Sequence, residues 1–468
     1  MKQSELAHKV KELAFIALIA FCAMPFYVGY WAIFREHDLK AHSLNKRTEA
    51  RLARTKPGRL LAADGEAILD RRPTERGTWE RVYVSPRTYC HLTGYNLQTG
   101  LQLSLRSQLL EPASRRDLVA FLASPEPVGD DVQLTIVERA QALARERLEG
   151  LSGAVVALDP KTGAVLVLAS SPAYDPAAIT KTHESWELFS TDPQSPGLDR
   201  AVQGLYPPGS VFKPLTAAAA LESGAVSVDT EYTCGGVLKV GDRDLRCWKA
   251  EGHGTLNLAG AVAQSCNVYF AQLGEALGTE ALSNYAAETG LFARPPLELP
   301  ANAVAAARLR TQATDDLAAA SYALGQGDLL VTPFAVAQLA AAIANGGELM
   351  RPHLVKAVLA PDGRVRYAIQ PAVERRALRE TTVRLLAGMM QSAVESGTGQ
   401  AAQIEGLQVA GKTGSAQTPL GDAHAWFIGF APVQDPRVAV AVIVEHGGSG
   451  GAAAAPIARD IMEALLRS

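Results

Sequence analysis

Apolar and polar positions divide the chain into stretches of different period. Residues 1–12 are short and polar, with Lys2, Lys9 and Lys11. Residues 13–34 form an uncharged apolar run, long enough to span a bilayer as a helix. The run ends in Tyr27, Tyr30 and Trp31, which suit a membrane interface. A cleaved signal peptide has a shorter apolar core that ends in small residues. Bulky residues continue here to Phe34, so the run reads as an uncleaved anchor. Lys46, Arg47, Arg51, Arg54, Lys56 and Arg59 make the far side basic as well, and charge counting alone leaves the orientation open. Long domains translocate largely regardless of charge, which places the tail in the cytoplasm and the remaining chain outside. The basic stretch reads as a solvated stalk, helical in part.

Residues 35–130 predict a stalk and a small β-rich pedestal. Residues 58–69 read as a hairpin around Asp64-Gly65, residues 81–84 as a short strand and residues 108–122 as a helix. From Asp131 the character changes. Residues 132–136 are strand-like and residues 137–151 form an amphipathic helix. Residues 154–170 are two apolar strands around the turn Asp159-Pro160-Lys161-Thr162-Gly163. Helices are predicted over 215–223, 258–263, 268–277, 328–346, 381–397 and 454–466. Strands are predicted over 407–417, 424–433 and 437–446. Five strands split between the two ends, apolar on both sides of their alternation, predict one sheet covered on both faces.

Composition narrows this only a little. The chain has 468 residues, 48% hydrophobic and 20% charged, as in ordinary globular proteins. A formal net charge of −3 gives no case for nucleic acid as a partner. There are five cysteines in no metal-like spacing, no H-x-x-x-H and no C-x-x-C, so neither metal nor cofactor is expected. Cys234 and Cys247 flank a strand-like stretch. They either pair in an oxidising compartment or stay as two separate buried thiols.

The candidate chemistry lies in residues 206–214, Tyr-Pro-Pro-Gly-Ser-Val-Phe-Lys-Pro. Ser210 and Lys213 are three apart, on one face of a first helical turn, and Pro214 supports that early position. A serine hydroxyl needs a base beside it. Lysine is that base only if desolvation, a helix N-terminus or a second cation lowers its pKa. Ser43-Leu44-Asn45-Lys46 has the same spacing, so the pattern alone decides little. Ser265-Cys266-Asn267 and Lys412-Thr413-Gly414 follow in order. Taken singly, the first reads as a loop or helix cap and Lys412 as a strand-end lysine. Lys161-Thr162-Gly163 repeats the last tripeptide, but it precedes Ser210 and sits on a turn.

Ser-x-x-Lys, Ser-x-Asn and Lys-Thr-Gly in this order are the serine acyltransferase constellation of penicillin-binding proteins and serine β-lactamases. The chain resembles class B penicillin-binding proteins, the monofunctional peptidoglycan D,D-transpeptidases. The resemblance runs from the anchor to the last helix. It includes Asn45-Lys46-Arg47, residues 58–65 and 131–136, Tyr206-Pro207-Pro208-Gly209-Ser210, Cys247-Trp248 with Gly252-His253-Gly254, Gly325-Gln326-Gly327, residues 411–417 and residues 426–432. The spacer is short for that family.

The resemblance implies an α/β transpeptidase fold over residues 131–468, with a five-stranded, mainly antiparallel sheet between helices. It also implies the pedestal at 35–130, a single-pass helix at 13–34 in the bacterial cytoplasmic membrane and a cytoplasmic tail at 1–12. Ser210 would be the nucleophile and Lys213 its base. Ser265 would relay the proton, Asn267 would hold Lys213 and the substrate amide, and Lys412 would supply positive field. Thr413, Gly414 and Ser415 would bind substrate, with the main-chain N–H groups of Ser210 and Ser415 as oxyanion hole. His253 and His424 would be structural or at the substrate's edge. Implied partners are peptidoglycan stem peptides, β-lactam antibiotics and a SEDS-family polytopic glycosyltransferase. Two other readings share these motifs: a β-lactamase or penicillin sensor, and an inactive scaffold for a glycan polymerase.

Overall fold

The computed structural model describes residues 2–34, 55–110, 128–309, 315–419 and 421–467. A single helix, Lys2–Phe34, runs through both the polar tail and the apolar run. Residues 2–12 contain no helix breaker, so the tail continues the helix. Within it, His8–Tyr27 is long and apolar enough to cross a membrane, and nothing among the described residues covers it. The Ser43 tetrapeptide, Asn45-Lys46-Arg47 and most of the basic stretch lie outside the described residues.

The expected hairpin forms. Leu60–Leu61 pairs antiparallel with Ala67–Pro73. Asp64 Oδ1 accepts the Glu66 N–H at 3.0 Å, and Gly65 takes φ 95° in the turn. Trp79–Tyr83 extends the sheet. Asp131–Leu134, Val355–Leu359 and Val365–Ala368 complete six strands, so chain from beyond residue 131 builds half of the pedestal sheet. Asp131 joins the parts: it accepts from the Arg59 guanidinium at 2.7 Å and from Arg71 at 3.2 Å. The helix expected at 108–122 is seen as Arg106–Leu110, and residues 111–122 lie outside the described residues.

The central sheet has five strands: β1 (Gly153–Leu158), β2 (Val165–Ser171), β3 (Ala410–Ala416), β4 (His424–Ala431) and β5 (Val438–Val444). Their order is β3-β4-β5-β1-β2, and every neighbouring pair is antiparallel. The helices that matter here are α1 (Glu138–Arg147), α2 (Lys213–Ser223), α3 (Asn267–Leu277), α4 (Pro333–Ala344), α5 (Glu380–Glu395) and α6 (Gly450–Leu466).

Alternation along each strand sends side chains to two cores. Ala154, Val156, Ile428 and Ala441 meet Phe334 and Val336 of α4 and the helices beyond it. Val155, Ala157, Phe427, Val440 and Val442 meet Ala140 of α1 and Ala454, Ala458 and Ile461 of α6. Fully burying a Val or Ile is worth about 1.5–3 kcal/mol, which makes this doubly covered sheet the rigid floor of the domain.

The helix expected over 328–346 is shorter. Leu329–Leu330 forms a small strand with Arg308–Leu309, and the helix is α4 alone. Pro333 dictates this: its ring is tolerated at the first helical position but not inside a helix. Thr332 caps it by accepting the Ala335 N–H at 3.1 Å. In the reverse direction, α6 starts at Gly450, within the glycine loop, four residues before the expected 454.

Candidate active site

The nucleophile motif is built by backbone constraint. Residues Gly209–Phe212 form a 3₁₀ turn that runs straight into α2. Gly209 has φ 56°, and its N–H donates to the Gly325 carbonyl at 2.8 Å. Ser210, half-buried, faces a cleft of about 600 Å³ whose lining includes Asn267, Ser415, Gln326, Arg243 and Arg246.

Lys213 opens α2 and is fully buried. Its Nζ donates to the Ser265 carbonyl at 2.8 Å and to Asn267 Oδ1 at 2.9 Å, and lies 3.4 Å from Ser265 Oγ. It also sits 5.3 Å above the Phe270 ring. Burial pushes the Lys213 pKa down to about 7, against the smaller opposing pull of Cys266 and Cys247. Of the three causes foreseen for a lowered pKa, desolvation is the one that acts. No hydrogen bond joins the Ser210 hydroxyl to Lys213 among the described residues; the amine points its donors at the Ser265–Asn267 turn.

That turn precedes α3. Ser265 adopts φ 54°, a left-handed conformation that costs a non-glycine residue about 1–3 kcal/mol. Asn267 is held from three sides: Oδ1 accepts from Lys213, Nδ2 donates to the Arg246 carbonyl at 3.2 Å, and its N–H donates to Cys247 Sγ at 3.4 Å.

Lys412 lies on β3 opposite Ile428 of β4 and is also fully buried. Its Nζ donates to the Thr413 carbonyl at 3.0 Å. Burial first, and the charge of Lys213 second, hold its pKa well below the usual lysine range. The charge of Lys213 thus disfavours a second positive charge on Lys412. Thr413 Oγ1 shares a 2.6 Å hydrogen bond with Thr398 Oγ1. Ser415 is exposed to the cleft. A Cβ on Gly209 would stand 3.1 Å from Ala416 Cα and one on Gly414 3.0 Å from Val211 Cγ1, so β3 and the nucleophile turn touch through glycine on both sides.

The structure thus brings Ser210, Asn267 and Ser415 to one cleft, with Lys213, Ser265, Lys412 and Thr413 buried behind them. The second Lys-Thr-Gly does not take part: Lys161 is exposed and pairs with Asp435. His424 is structural. Its Nδ1 accepts the His446 N–H at 3.1 Å, and burial lowers its pKa. Tyr206 donates to Glu445 at 2.6 Å, Arg200 donates to the same carboxylate at 2.8 Å, and Trp426 donates to the Pro207 carbonyl at 3.1 Å. These bonds tie the nucleophile motif to the sheet. Thr398, Arg243, Arg246 and Phe270 were not foreseen, because nothing local in the sequence marks residues that only tertiary folding brings to the cleft.

Cys234, Cys247, Cys266 and His253 are not scattered. Their ligand-capable atoms all lie within 4.8 Å of one another, a donor set that suits a metal ion. No short ligand motif marks it in the sequence, where the four residues are separated by 13, 6 and 13 positions. All four are buried or nearly so, and Cys234 and Cys247 are free thiols. The hydrogen bond with Cys266 pulls the Cys247 thiol down to about 4 and pushes the Cys266 thiol up.

Comparison with known proteins agrees with this geometry. Residues 153–463 match the model of the penicillin binding protein transpeptidase domain. A curated relative, peptidoglycan D,D-transpeptidase PbpA of Mycolicibacterium smegmatis, is 37% identical over 93% of this chain and 94% of its own length. Peptidoglycan D,D-transpeptidase MrdA of Acinetobacter baumannii is 30% identical over 74% of this chain and 55% of its own. Among solved structures, the ceftriaxone acyl-enzyme complex of penicillin-binding protein A from M. tuberculosis has TM-score 0.83 and 33% identity. It covers 89% of this chain and 99% of that one.

Proposed function

We propose that this chain, which belongs to the penicillin-binding protein transpeptidase family, carries out acyl transfer through Ser210 with Lys213 as its base. The chain is a serine-type peptidoglycan D,D-transpeptidase and binds β-lactams covalently. The observation that best supports these roles is the buried Lys213, lowered to about 7 and hydrogen-bonded to both Ser265 and Asn267 one turn from Ser210.

In this reading Ser210 Oγ attacks the carbonyl between the two terminal D-alanines of a stem peptide, while neutral Lys213 takes the hydroxyl proton. The Ser210 and Ser415 N–H groups stabilise the oxyanion. The proton passes through Ser265 to the leaving amine, the C–N bond breaks and D-alanine departs. An amine from a second stem peptide then attacks the Ser210 ester, forms the cross-link and returns the proton to Ser210. The substrate carboxylate arrives beside Thr413 and Lys412, and its charge draws Lys412 back to the ammonium form.

The apolar helix would anchor the protein with its N-terminus in the cytoplasm and the catalytic domain outside, where its substrate is. His8–Tyr27 exposes an apolar surface that nothing else among the described residues covers, which suits lipid and a polytopic glycan polymerase alike. Cysteine labelling at Cys22-free variants carrying single reporters at either end of the helix tests the orientation.

The decisive experiment on the site is the intact mass of the protein after benzylpenicillin, beside Ser210→Ala. A stable adduct on the wild type and none on the variant is expected. An adduct on Ser210→Ala would overturn the assignment. Hydrolysed drug without an accumulated adduct would move the reading to a lactamase.

A further inference from the structure

A second cavity, of about 180 Å³, lies where the pedestal meets the transpeptidase domain, and it shares no lining residue with the Ser210 cleft. Its walls come from three segments: residues 91–103 of the pedestal, 174–203 after β2, and 299–303. We propose that it is a saccharide subsite, which takes one ring of an N-acetylated amino-sugar strand, the glycan that carries the stem peptides. The choice of ligand rests on the transpeptidase reading above.

The apolar part of the lining is aromatic. Tyr174 meets Tyr95 at 6.4 Å and 75°, and Phe189 at 4.9 Å and 55°. The rings stand at steep angles and so form a corner, not a stacked pair. Phe189 comes this close only because residue 197 is glycine: a Cβ there would stand 2.9 Å from Phe189 Cζ. His91 adds a ring whose nitrogens are already engaged, Nε2 with the Pro196 carbonyl at 2.8 Å and Nδ1 with Cys90 Sγ at 3.3 Å. A pyranose is apolar on its C–H faces and polar around its rim. It needs aromatic surface with hydrogen-bonding groups beside it.

Those groups are present. Asp199 lines the cavity and is only 8% exposed. Its Oδ1 accepts from Ser170 Oγ at 2.6 Å and from the Ala201 N–H at 3.2 Å. Its Oδ2 accepts no hydrogen bond among the described residues, an uncommon state for a buried carboxylate and one that a sugar hydroxyl would satisfy. Gln203 Oε1 accepts the Asp199 N–H at 3.0 Å, which leaves the Gln203 amide donors to meet a ligand oxygen. Gln98 and Asn302 stand exposed at the mouth. Among the described residues the lining holds no lysine or arginine. A phosphate or carboxylate ligand would therefore meet Asp199 without a compensating cation. An ammonium would suit Asp199 but would face the Gln203 donors. A neutral ligand rich in hydroxyl groups matches both.

Size and backbone agree. A cavity of about 150 Å³ holds one benzene ring, so this one holds a single six-membered ring with its substituents at the mouth. Asn96 and Leu97, between Tyr95 and Gln98, take φ 49° and 57°. Consecutive left-handed residues other than glycine are the kind of strain that gathers at ligand sites. A strand held here and at Ser210 binds through two sites at once, which raises the effective concentration of its stem peptides.

The test uses the full chain in a polyoxyethylene detergent, which carries no sugar headgroup, and the β-1,4-linked tetramer of N-acetylglucosamine as probe. Trp186 is exposed at the rim and touches Tyr95 at 5.6 Å and Phe189 at 5.5 Å, so its emission reports occupancy. A saturable shift, half-complete on the order of 1 mM, is expected for one buried ring. The shift should vanish in Trp186→Phe. Asp199→Asn should weaken binding at least about tenfold and Tyr95→Leu about fivefold. Hydrogen exchange on the wild type, which needs no variant to fold, should show the tetramer protecting residues 91–103 and 197–203. No saturable shift up to about 20 mM would overturn the proposal, as would protection confined to the Ser210 cleft. A response to tetramethylammonium without one to the tetramer would overturn it too, in favour of a cation cage. None of these readings involves acylation, and Ser210→Ala should bind the tetramer as the wild type does, so failure here is separable from failure of the transpeptidase assignment.

Discussion

Lys213 and Asn267, 54 residues apart, are joined by a 2.9 Å hydrogen bond that brings the first two motifs into one unit. Its chemistry predicts a pH profile. In the proposed role Lys213 would act as base only when neutral, and burial pushes its pKa down to about 7. The second-order rate of acylation by benzylpenicillin should therefore rise about tenfold per pH unit below 7 and level off above it. Asn267 Oδ1 accepts from the amine and so favours the ammonium form. In Asn267→Ala the midpoint should move to lower pH while the plateau falls, by about a hundredfold if Lys213 loses its position. Stopped-flow acylation across this range checks both. An unchanged midpoint would place the titration elsewhere.

Thr398 predicts a different effect. Its hydroxyl shares a 2.6 Å bond with Thr413, so the direction of that bond decides whether Thr413 can donate to a substrate carboxylate. If Thr398 donates, the Thr413 proton is aimed at the cleft. Thr398→Val keeps the volume but removes the donor, and Thr413 would turn toward another acceptor. Binding of anionic substrates should weaken about tenfold to a hundredfold, the value of one charge-assisted hydrogen bond, with the maximal acylation rate nearly unchanged. Saturation kinetics separate the two parameters.

Much of this arrangement was legible in the sequence, for identifiable reasons. The five strands of the central sheet are runs apolar on both sides of their alternation, a pattern that tolerates few alternatives. Ser210, Lys213, Ser265, Asn267 and Lys412 lie in local motifs whose order along the chain separates them from the decoys at Ser43 and Lys161. The cysteine cluster was not legible, because Cys234, Cys247, His253 and Cys266, all within 33 residues, are spaced irregularly and only the folding of the short strands between them brings the side chains together. Nor was the shared pedestal sheet: the strands Val355–Leu359 and Val365–Ala368 add to Asp131–Leu134 across more than two hundred residues of chain, which no periodicity encodes. Thr398 was invisible for the same reason. The shortened α4 was a lesser miss, since Pro333 marks its start.

Gly209 links stability to activity. It has φ 56° and would place a Cβ 3.1 Å from Ala416 Cα. Gly209→Ala should cost about 1–2 kcal/mol for the left-handed backbone alone, with more from the contact with β3. Because Gly209 adjoins Ser210 and its N–H is anchored to Gly325, relaxation would move the nucleophile rather than the sheet. A lowered Tm together with at least a tenfold slower acylation is expected. Slower acylation without any loss of Tm would mean that strain is absorbed elsewhere.

The cleft also carries a prediction about the acyl donor. Arg243 and Arg246 line it from an exposed hairpin, on the same side as Asn267, whose Nδ2 fixes the Arg246 carbonyl at 3.2 Å. The hairpin backbone is therefore held, while both guanidinium groups are exposed on the cleft wall. A stem peptide extends well beyond its terminal D-alanine, and any further carboxylate along it would enter a cleft whose wall carries Arg243, Asp244 and Arg246, one positive charge in excess. Penicillin is shorter, and in the proposed binding mode it would end near Ser210, Thr413 and Lys412. In the Arg243→Gln, Arg246→Gln double variant, acylation by peptide donors with a free side carboxylate should slow about tenfold. Benzylpenicillin acylation should change less than about twofold. Because both arginines are solvent-exposed, the difference should shrink as salt is raised from about 0.01 M to 1 M, where the screening length falls from about 30 to 3 Å. Equal losses for peptide and penicillin would instead show that the hairpin acts by positioning Asn267, since that contact serves both substrates.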